Sequence, residues 1–141
     1  MLDGDEVRRT ISADLGFSAA DRDENVRRVA ALADRHSSAG AVAIVALITP
    51  LRRQRAAARG AVASRFIEIY VDAPLAECIR RDPKGLYARA LCGEIADFTG
   101  VSSPYEVPAA PDLVLDTVRQ TPEESVEQVL RLLTRGTLGR T

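Results

Sequence analysis

Residues 41–50 read AVAIVALITP, and residues 66–74 read FIEIYVDAP. Each stretch holds a continuous run of apolar, largely β-branched residues that ends near a proline, which is typical of strands in a parallel sheet. A third run, at residues 113–116, has the same character. We therefore predict strands at Val42–Ile48, Phe66–Asp72 and Leu113–Asp116, buried on both faces.

Helical patterns alternate with these strands. They cover Asp21–Ser38, Pro50–Ala63 and Pro122–Leu133. Thr121 is suited to cap the last helix, and the proline that follows it fits the first helical position. The buried stripe that we predict for this helix consists of Val126, Val129, Leu130 and Leu133. Strands alternating with helices predict an α/β fold, a parallel sheet flanked by helices.

Length and composition limit the class of protein. The 141 residues, 46% hydrophobic and 28% charged, predict a single globular domain over 1–141 and exclude disordered and fibrous classes. A net charge of -1 provides no general attraction to nucleic acid or to an anionic membrane. The longest apolar run, residues 41–48, is far shorter than the ~20 residues that span a bilayer. The two cysteines suggest neither a disulfide framework nor a zinc site, so we expect a cytoplasmic protein.

Residues 80–111 interrupt the regular pattern. They contain glycines and prolines at short intervals and include Lys84, the single lysine of the chain. Such a stretch is typical of a lid or a long functional loop. We therefore expect a lid at about 80–111.

Residues 2–29, LDGDEVRRTISADLGFSAADRDENVRRV, hold side chains suited to an anionic nucleotide. Guanidinium groups match phosphate and sulfate oxygens, an aromatic face stacks on a base, and a carboxylate at a strand end can orient a hydroxyl or a magnesium ion. Turn formation, helix capping and surface solvation are the alternative roles for these residue types. The candidates are Asp3, Arg8, Phe17, Arg22 and Asn25. We expect Arg9, Arg27 and Arg35 merely to solvate a helix face.

The strings DGDxVR and DLGFSxxDRxENxRR in this stretch closely resemble the adenylyl-sulfate kinase family. The resemblance extends from about residue 2 to residue 133. It continues through ITP (48–50), FIEIYVDAP (66–74), DPKGLY (82–87), GEI (93–95), FTG (98–100) and SPYE (103–106).

The resemblance implies a P-loop-kinase-like fold and a defined reaction. The γ-phosphoryl group of ATP, with Mg²⁺, would pass to the 3′-hydroxyl of adenylyl sulfate in sulfate assimilation. Asp3 matches the catalytic aspartate beside the accepting hydroxyl. The partners would be small-molecule nucleotides, with no nucleic acid and no membrane, and a homodimer is among the assemblies that the resemblance allows.

The remaining roles are also carried by the resemblance. Arg8, Arg22 and Asn25 match the residues that grip the phosphosulfate group. Phe17 and Phe98 match the pair that sandwiches the acceptor adenine. The other substrate-binding positions are Ile48, Thr49 and Pro50, which match a wall of that pocket, and Lys84, which matches a lid lysine.

Several positions depart from the family pattern. Glu6 stands where the family has Asn, Thr49 replaces Ser and Leu51 replaces Phe, and these changes could retune the acceptor pocket. No G-x-x-x-x-G-K string followed by Ser or Thr occurs in the 141 residues, so the cradle for the ATP phosphates is absent. Because preorganised phosphate-binding groups supply much of phosphoryl-transfer catalysis, we expect little or no activity from these residues alone.

The missing cradle also affects the expected fold. In the family sheet, the first strand lies centrally, between the counterparts of 42–48 and 66–72, and leads into the P-loop. Its absence predicts two open apolar strand edges. Our hypothesis is that the sequence either starts about one strand, one helix and one strand late or is a fragment that needs a partner. Three functions stay open: a kinase-family enzyme, a non-catalytic sulfonucleotide-binding module, and a gene fragment without function.

Overall fold

The structure, a computed structural model, describes residues 1–135. Its elements in chain order are β1 (Leu2–Asp3), α1 (Gly4–Arg9), α2 (Ala19–Ser38), β2 (Val45–Ala46), α3 (Arg52–Ala61), β3 (Ile69–Asp72), α4 (Leu75–Arg81), α5 (Leu86–Leu91), β4 (Leu113–Asp116) and α6 (Pro122–Arg135). None of the described helices is both long and apolar enough to span a membrane.

The strands are parallel, as predicted, and the helices between them confirm the α/β class. β1 pairs with β2, with Leu2 opposite Val45. β3 pairs with β4 over four residues, from Ile69 opposite Leu113 onward. The described strands thus form two separate two-stranded sheets in place of one continuous sheet.

The chain divides into two compact units. Unit 1 consists of Met1–Phe66 and Ile95–Val107, and unit 2 consists of Ile67–Glu94 and the chain from Pro108 onward. The single domain over 1–141 stays a prediction, and residues 136–141 lie outside the described residues. The predicted lid at 80–111 contributes to both units and contains α5, so its role as a lid also stays a prediction.

The core of unit 1 is built on α2. Its buried apolar residues are Val26, Val29, Ala30 and Ala33, which lie on one face of the helix. A buried polar link then joins α2 to α3. The Gln54 side chain, 2% exposed, donates from Nε2 to Oδ1 of Asp23 at 2.7 Å and accepts from the backbone N of Leu51 at 3.2 Å. The second bond satisfies the start of α3, because the first backbone N–H groups of a helix have no partner within it.

The prediction that the strands are buried on both faces is wrong. Val42, Ile44 and Ile48 are exposed in unit 1, and Val71 and Val114 are exposed in unit 2. Each strand has only one hydrogen-bonded neighbour among the described residues, so both outer edges of each pair lack a further strand. The exposed apolar residues agree with the open strand edges expected above.

The final helix begins at the predicted residue, but its apolar side chains are more exposed than predicted. Thr121 Oγ1 accepts from the backbone N of Glu124 at 3.2 Å, and Glu124 Oε2 accepts from the backbone N of Thr121 at 2.8 Å, which forms a capping box. Val126 and Leu130, however, are 57% and 55% exposed, and Val129 and Leu133 are only half-buried, so the prediction of a buried stripe is wrong. The helix packs against β4, but fewer of its apolar residues are covered than the sequence pattern suggests.

Candidate functional site

Asp3 is both the last residue of β1 and the N-cap of α1. Its Oδ1 accepts from the backbone N of Asp5 at 3.0 Å and of Glu6 at 3.4 Å. Oδ2 accepts no hydrogen bond from the described residues. Gly4 lets the helix start against β2, because a Cβ there would lie 3.2 Å from the carbonyl oxygen of Ala46. The carboxylate is therefore fixed at the carboxyl end of parallel strands, where ligand sites gather.

Arg8 connects α1 to the loop that precedes α2. Its Nη1 donates to the carbonyl oxygens of Leu15, at 3.3 Å, and of Gly16. The guanidinium carbon lies 4.5 Å from the centroid of the Phe17 ring, within the range of a cation–π contact. Phe17 remains 63% exposed, so the ring is held by the arginine without being buried in the core.

Arg22 connects the same loop to a distant segment. Its Nε donates to the carbonyl oxygen of Phe17 at 2.9 Å, its Nη1 to Oγ1 of Thr99 at 2.8 Å, and its Nη2 to the carbonyl oxygen of Asp97. Phe98 lies between the last two acceptors in sequence. One guanidinium thus ties together the two segments that carry the candidate adenine-stacking aromatics.

The two arginines leave this cluster electrostatically positive. Burial and, second, the nearby charge of Arg22 lower the pKa of Arg8 from its ordinary value, while Asp21 acts in the opposite direction. The hydrogen-bond acceptors of both guanidinium groups are backbone carbonyls and one hydroxyl, which are neutral. An anion placed here would relieve the repulsion between them.

Asn25 lies one turn after Arg22 on α2 and is 6% exposed. Its Oδ1 is buried and accepts no hydrogen bond within the part of the chain that is described, and the same holds for Oγ of the fully buried Ser12. A buried polar atom without a partner costs about 1–3 kcal/mol. A ligand hydroxyl or a bound water would satisfy such an atom.

The predicted pocket wall at residues 48–50 is held by an arginine that sequence reasoning missed. Arg55, 9% exposed, donates from Nη1 to the carbonyl oxygen of Thr49 at 2.8 Å and from Nη2 to that of Glu106. Thr49 has φ of +35°, a conformation that side chains rarely adopt, so this contact holds strained backbone. Pro50 is buried and accepts from the backbone N of Glu106 at 2.8 Å.

Lys84 lies in unit 2, in the turn between α4 and α5, and is exposed. The carboxylate of Asp82 shapes this turn by accepting from the backbone N atoms of Tyr87 and Ala88, both at 3.0 Å. The other candidate residues all belong to unit 1. Within unit 1, hydrogen bonds and ring contacts join Arg8, Phe17 and Arg22 to the Phe98 segment, whereas Asp3 and Asn25 make no described hydrogen bond to that cluster.

The described residues do not by themselves form a metal centre. They contain no group of three or more His, Cys, Asp or Glu side chains that could hold an ion, and Asp3 provides a single carboxylate that already caps a helix. The 141 residues also lack the glycine-rich lysine motif that cradles nucleotide phosphates. What unit 1 offers is a set of groups for an anionic, base-bearing acceptor.

Comparisons with known proteins identify the family of the chain. The family model described as Adenylylsulphate kinase matches residues 1–116. The chain is 51% identical to the adenylyl-sulfate kinase of Paraburkholderia xenovorans over 140 residues, which cover 99% of this chain and 77% of that protein.

Two further proteins extend the comparison. The bifunctional enzyme NodQ of Rhizobium sp. strain BR816 is 55% identical over 123 residues, 86% of this chain, but the match spans only 19% of NodQ. The solved structure of the Mycobacterium tuberculosis APS kinase CysC in complex with AMPPNP and APS superposes with a TM-score of 0.92 at 46% identity, covering 94% of this chain and 78% of that one. Sequence, family model and fold agree, and the chain belongs to the adenylylsulphate kinase family.

Proposed function

We propose that this chain provides the acceptor-binding part of an adenylyl-sulfate kinase, which transfers the γ-phosphoryl group of ATP to the 3′-hydroxyl of adenylyl sulfate. The observation that carries the proposal is the cluster in which Arg8 and Arg22 hold the Phe17 and Phe98 segments together. Its charges and its aromatic faces match the two ends of this substrate.

The phosphosulfate end of the substrate is anionic and suits the two guanidinium groups. Charge-assisted hydrogen bonds to phosphate or sulfate oxygens are roughly twice as strong as neutral ones. Because Arg8 and Arg22 repel each other and have neutral acceptors, their charge is available to an anion. Asn25, one turn further along α2, would contribute the N–H donors of its side-chain amide, whereas its buried Oδ1 can only accept, for example from a ligand hydroxyl.

The nucleoside end suits the aromatic and strand-end residues. We assign the adenine to Phe17 and Phe98, and the wall of the pocket to Ile48, Thr49 and Pro50. Asp3 would accept or orient the proton of the 3′-hydroxyl, since its Oδ1 caps α1 and its Oδ2 accepts no hydrogen bond from the described residues.

The phosphoryl donor needs groups that the 141 residues lack. We propose that ATP, with Mg²⁺ as part of that substrate, is held by a glycine-rich loop outside this sequence, and that these residues alone bind the acceptor without transferring phosphate. Lys84 would reach the substrates from the predicted lid. We assign the reaction to the cytoplasm, where the two cysteines, both free in the structure, would stay reduced.

Calorimetry on the purified chain tests this proposal. Adenylyl sulfate should bind, ATP should bind far more weakly, and Arg22→Ala should remove most of the affinity for adenylyl sulfate. Arg27→Ala is the matched control, because Arg27 lies on the same helix, is exposed and pairs with Glu24. Absence of adenylyl sulfate binding by the folded wild-type chain would contradict the proposal, and rapid product formation from ATP would contradict the need for an outside loop.

A non-catalytic sulfonucleotide-binding module is the second candidate. Two observations favour this candidate: the cluster of Arg8, Phe17 and Arg22 with the Phe98 segment is formed, and the 141 residues lack a phosphate-binding loop. The two functions separate when a glycine-rich loop is supplied by extending the chain at its start with the corresponding segment of a relative. A kinase fragment should then gain turnover, whereas a binding module should keep its affinity and gain none. Insoluble or molten chain would instead indicate a fragment without function.

A further inference from the structure

The three described acceptors of the Arg22 guanidinium lie on segments far apart in the sequence. Nε bonds to Phe17, whereas Nη1 and Nη2 bond to Thr99 and Asp97, which are 77 and 75 residues away from Arg22. Two of these acceptors are backbone carbonyls, and the third is the Thr99 hydroxyl. Among the described contacts of this arginine, the hydroxyl is therefore the one that a substitution can remove.

The segment that carries Phe98 is a compact turn in its own right. Phe98 accepts at its carbonyl oxygen from the backbone N atoms of Val101, Ser102 and Ser103 at 3.0–3.1 Å, and its own N donates to Ser102 Oγ at 2.8 Å. Gly100 donates to the carbonyl oxygen of Ser103 at 2.7 Å. A turn with this many internal bonds moves as one piece, so an anchor at Thr99 also sets the place of Phe98.

Thr99 is well suited to act as that anchor. It is 7% exposed, and its Oγ1 lies 2.8 Å from Arg22 Nη1. A buried hydrogen bond to a charged group contributes more than one between neutral groups. Just before the turn, Asp97 adopts φ of +53° while its carbonyl oxygen accepts from the same guanidinium. The arginine thus grips the turn at two points on either side of Phe98.

The grip leaves Arg22 able to contact a ligand as well. A guanidinium has five N–H donors, and the described contacts of Arg22 use one on each nitrogen. Each terminal nitrogen keeps a second N–H. Positioning of the aromatic residues and attraction of an anion are therefore separable roles of this one side chain.

We propose that Thr99 is a positioning residue for recognition of the adenine: by anchoring Arg22, it sets the spacing between Phe17 and Phe98. The inference rests on the proposed function, because it requires that these two rings stack on the base. It assigns to Thr99 a role that acts through Arg22 and on the nucleoside end of the substrate.

Binding of adenylyl sulfate and of adenosine, measured by chemical-shift titration, tests the inference. Thr99→Val keeps the shape and removes the hydroxyl, and it should weaken both ligands by the same factor, about tenfold for a lost hydrogen bond to a charged group. Thr99→Ser keeps the hydroxyl and should restore binding to within about twofold of the wild type. Arg22→Ala should weaken adenylyl sulfate more than adenosine, because it also removes the charge.

A double-mutant cycle separates positioning from general loss of structure. On the Arg22→Ala background, Thr99→Val should cause no further loss of adenosine affinity, because the bond that it removes is already gone. Without ligand, Thr99→Val should also speed amide hydrogen exchange in residues 97–103 while leaving α2 unchanged.

Each contrary result has its own meaning. Additive losses in the cycle, unchanged adenosine binding by Thr99→Val, or unchanged exchange in 97–103 would overturn the inference while leaving the proposed function intact. A loss confined to adenylyl sulfate would also overturn it, since Thr99 would then serve only the anion. Failure of the folded wild-type chain to bind either ligand would overturn the proposed function and this inference with it.

Discussion

Two sets of arginines in the molecule are used differently. In unit 1, Arg8, Arg22 and Arg55 donate to backbone carbonyls of other segments, whereas other arginines of that unit, such as Arg27, pair with carboxylates. In unit 2, Arg80 and Arg131 pair with glutamates three or four residues away on their own helices. The described hydrogen-bond acceptors of Arg8 and Arg22 are neutral and leave the charge of these two groups to a ligand, whereas a carboxylate partner offsets the charge of a guanidinium.

This difference indicates where an anion can bind. Local ion pairs on a helix surface contribute little to stability and reduce the positive charge that a ligand would meet. Long-range contacts to carbonyls fix loops and preserve the charge at the same time. We therefore expect Arg8 and Arg22 of unit 1 to bind the ligand and Arg80 and Arg131 of unit 2 to have a surface role, although Arg81 of unit 2 also donates to the carbonyl oxygen of Thr117 at 2.7 Å.

The largest expected difference between these two sets of arginines is in the affinity for adenylyl sulfate. Arg22→Ala should lower the affinity for adenylyl sulfate by about a hundredfold, which corresponds to the loss of charge-assisted hydrogen bonds. Arg80→Ala should leave that affinity unchanged, because Arg80 is exposed and paired with Glu77. Calorimetry on both variants measures the difference, and a comparable loss in Arg80→Ala would remove the distinction between the units.

Buried polar links should matter more than exposed ones for stability. Gln54→Ala removes the bond to Asp23 and the cap of α3, and it should lower the free energy of unfolding by about 1–3 kcal/mol. Gln128→Ala, at a half-buried position on α6, is the matched control and should change it far less. Urea denaturation followed by circular dichroism measures both values. Equal effects would show that the link between α2 and α3 contributes no more to the free energy of unfolding than an ordinary half-buried side chain does.

Salt should separate the two ends of the ligand. Raising the ionic strength from about 0.05 to 0.5 M should weaken adenylyl sulfate several-fold, because screening acts on its contacts with Arg8 and Arg22. Adenosine binding, which depends on stacking, should stay nearly constant. Titrations at both salt concentrations compare the two ligands, and parallel changes would indicate that the guanidinium charges do not contact the substrate.

The smallest effect concerns the local ion pairs, which should behave alike in both units. Hydrogen bonds from arginines lower the pKa of Glu24 in unit 1 and of Glu77 in unit 2 to about 2. A depressed carboxyl pKa stabilises the folded state above the unfolded value of about 4.3, and this contribution is lost as the pH falls toward 2. Glu24→Gln and Glu77→Gln should each slightly reduce the loss of stability between pH 7 and pH 3, measured by urea denaturation. A large effect in one unit only would contradict the shared surface role.

Sequence patterns predicted the elements whose signals are local. β4 has the predicted limits, α2 begins within two residues of the predicted start, and α6 begins at the predicted proline. The lengths of β2 and β3 were overestimated, because a strand extends only as far as its partner: β1, the partner of β2, has two residues. Burial of these strands depends likewise on neighbours that their own residues do not encode.

Sequence reasoning named candidate site residues by the chemistry of their side chains. It missed Arg55, whose described hydrogen bonds go to backbone carbonyl oxygens. The strings that carry the resemblance contain Arg8, Phe17, Arg22 and Asn25. Arg55 was overlooked because its partners are carbonyl oxygens, which every residue possesses and which no sequence pattern distinguishes. Helical spacing after the Ile48–Pro50 segment is the signal that could have singled it out.

Asp3 is both the N-cap of α1 and the proposed catalytic residue, and this combination limits how far its side chain can move. Its carboxylate holds the first turn of α1, and the glycine that follows lets that turn lie close against β2. An acid that keeps a helix in register cannot swing toward a bound molecule without unwinding it. If Asp3 acts on the 3′-hydroxyl as proposed, the nucleotide would have to come to the aspartate, which would be the fixed reference point for the reacting oxygen.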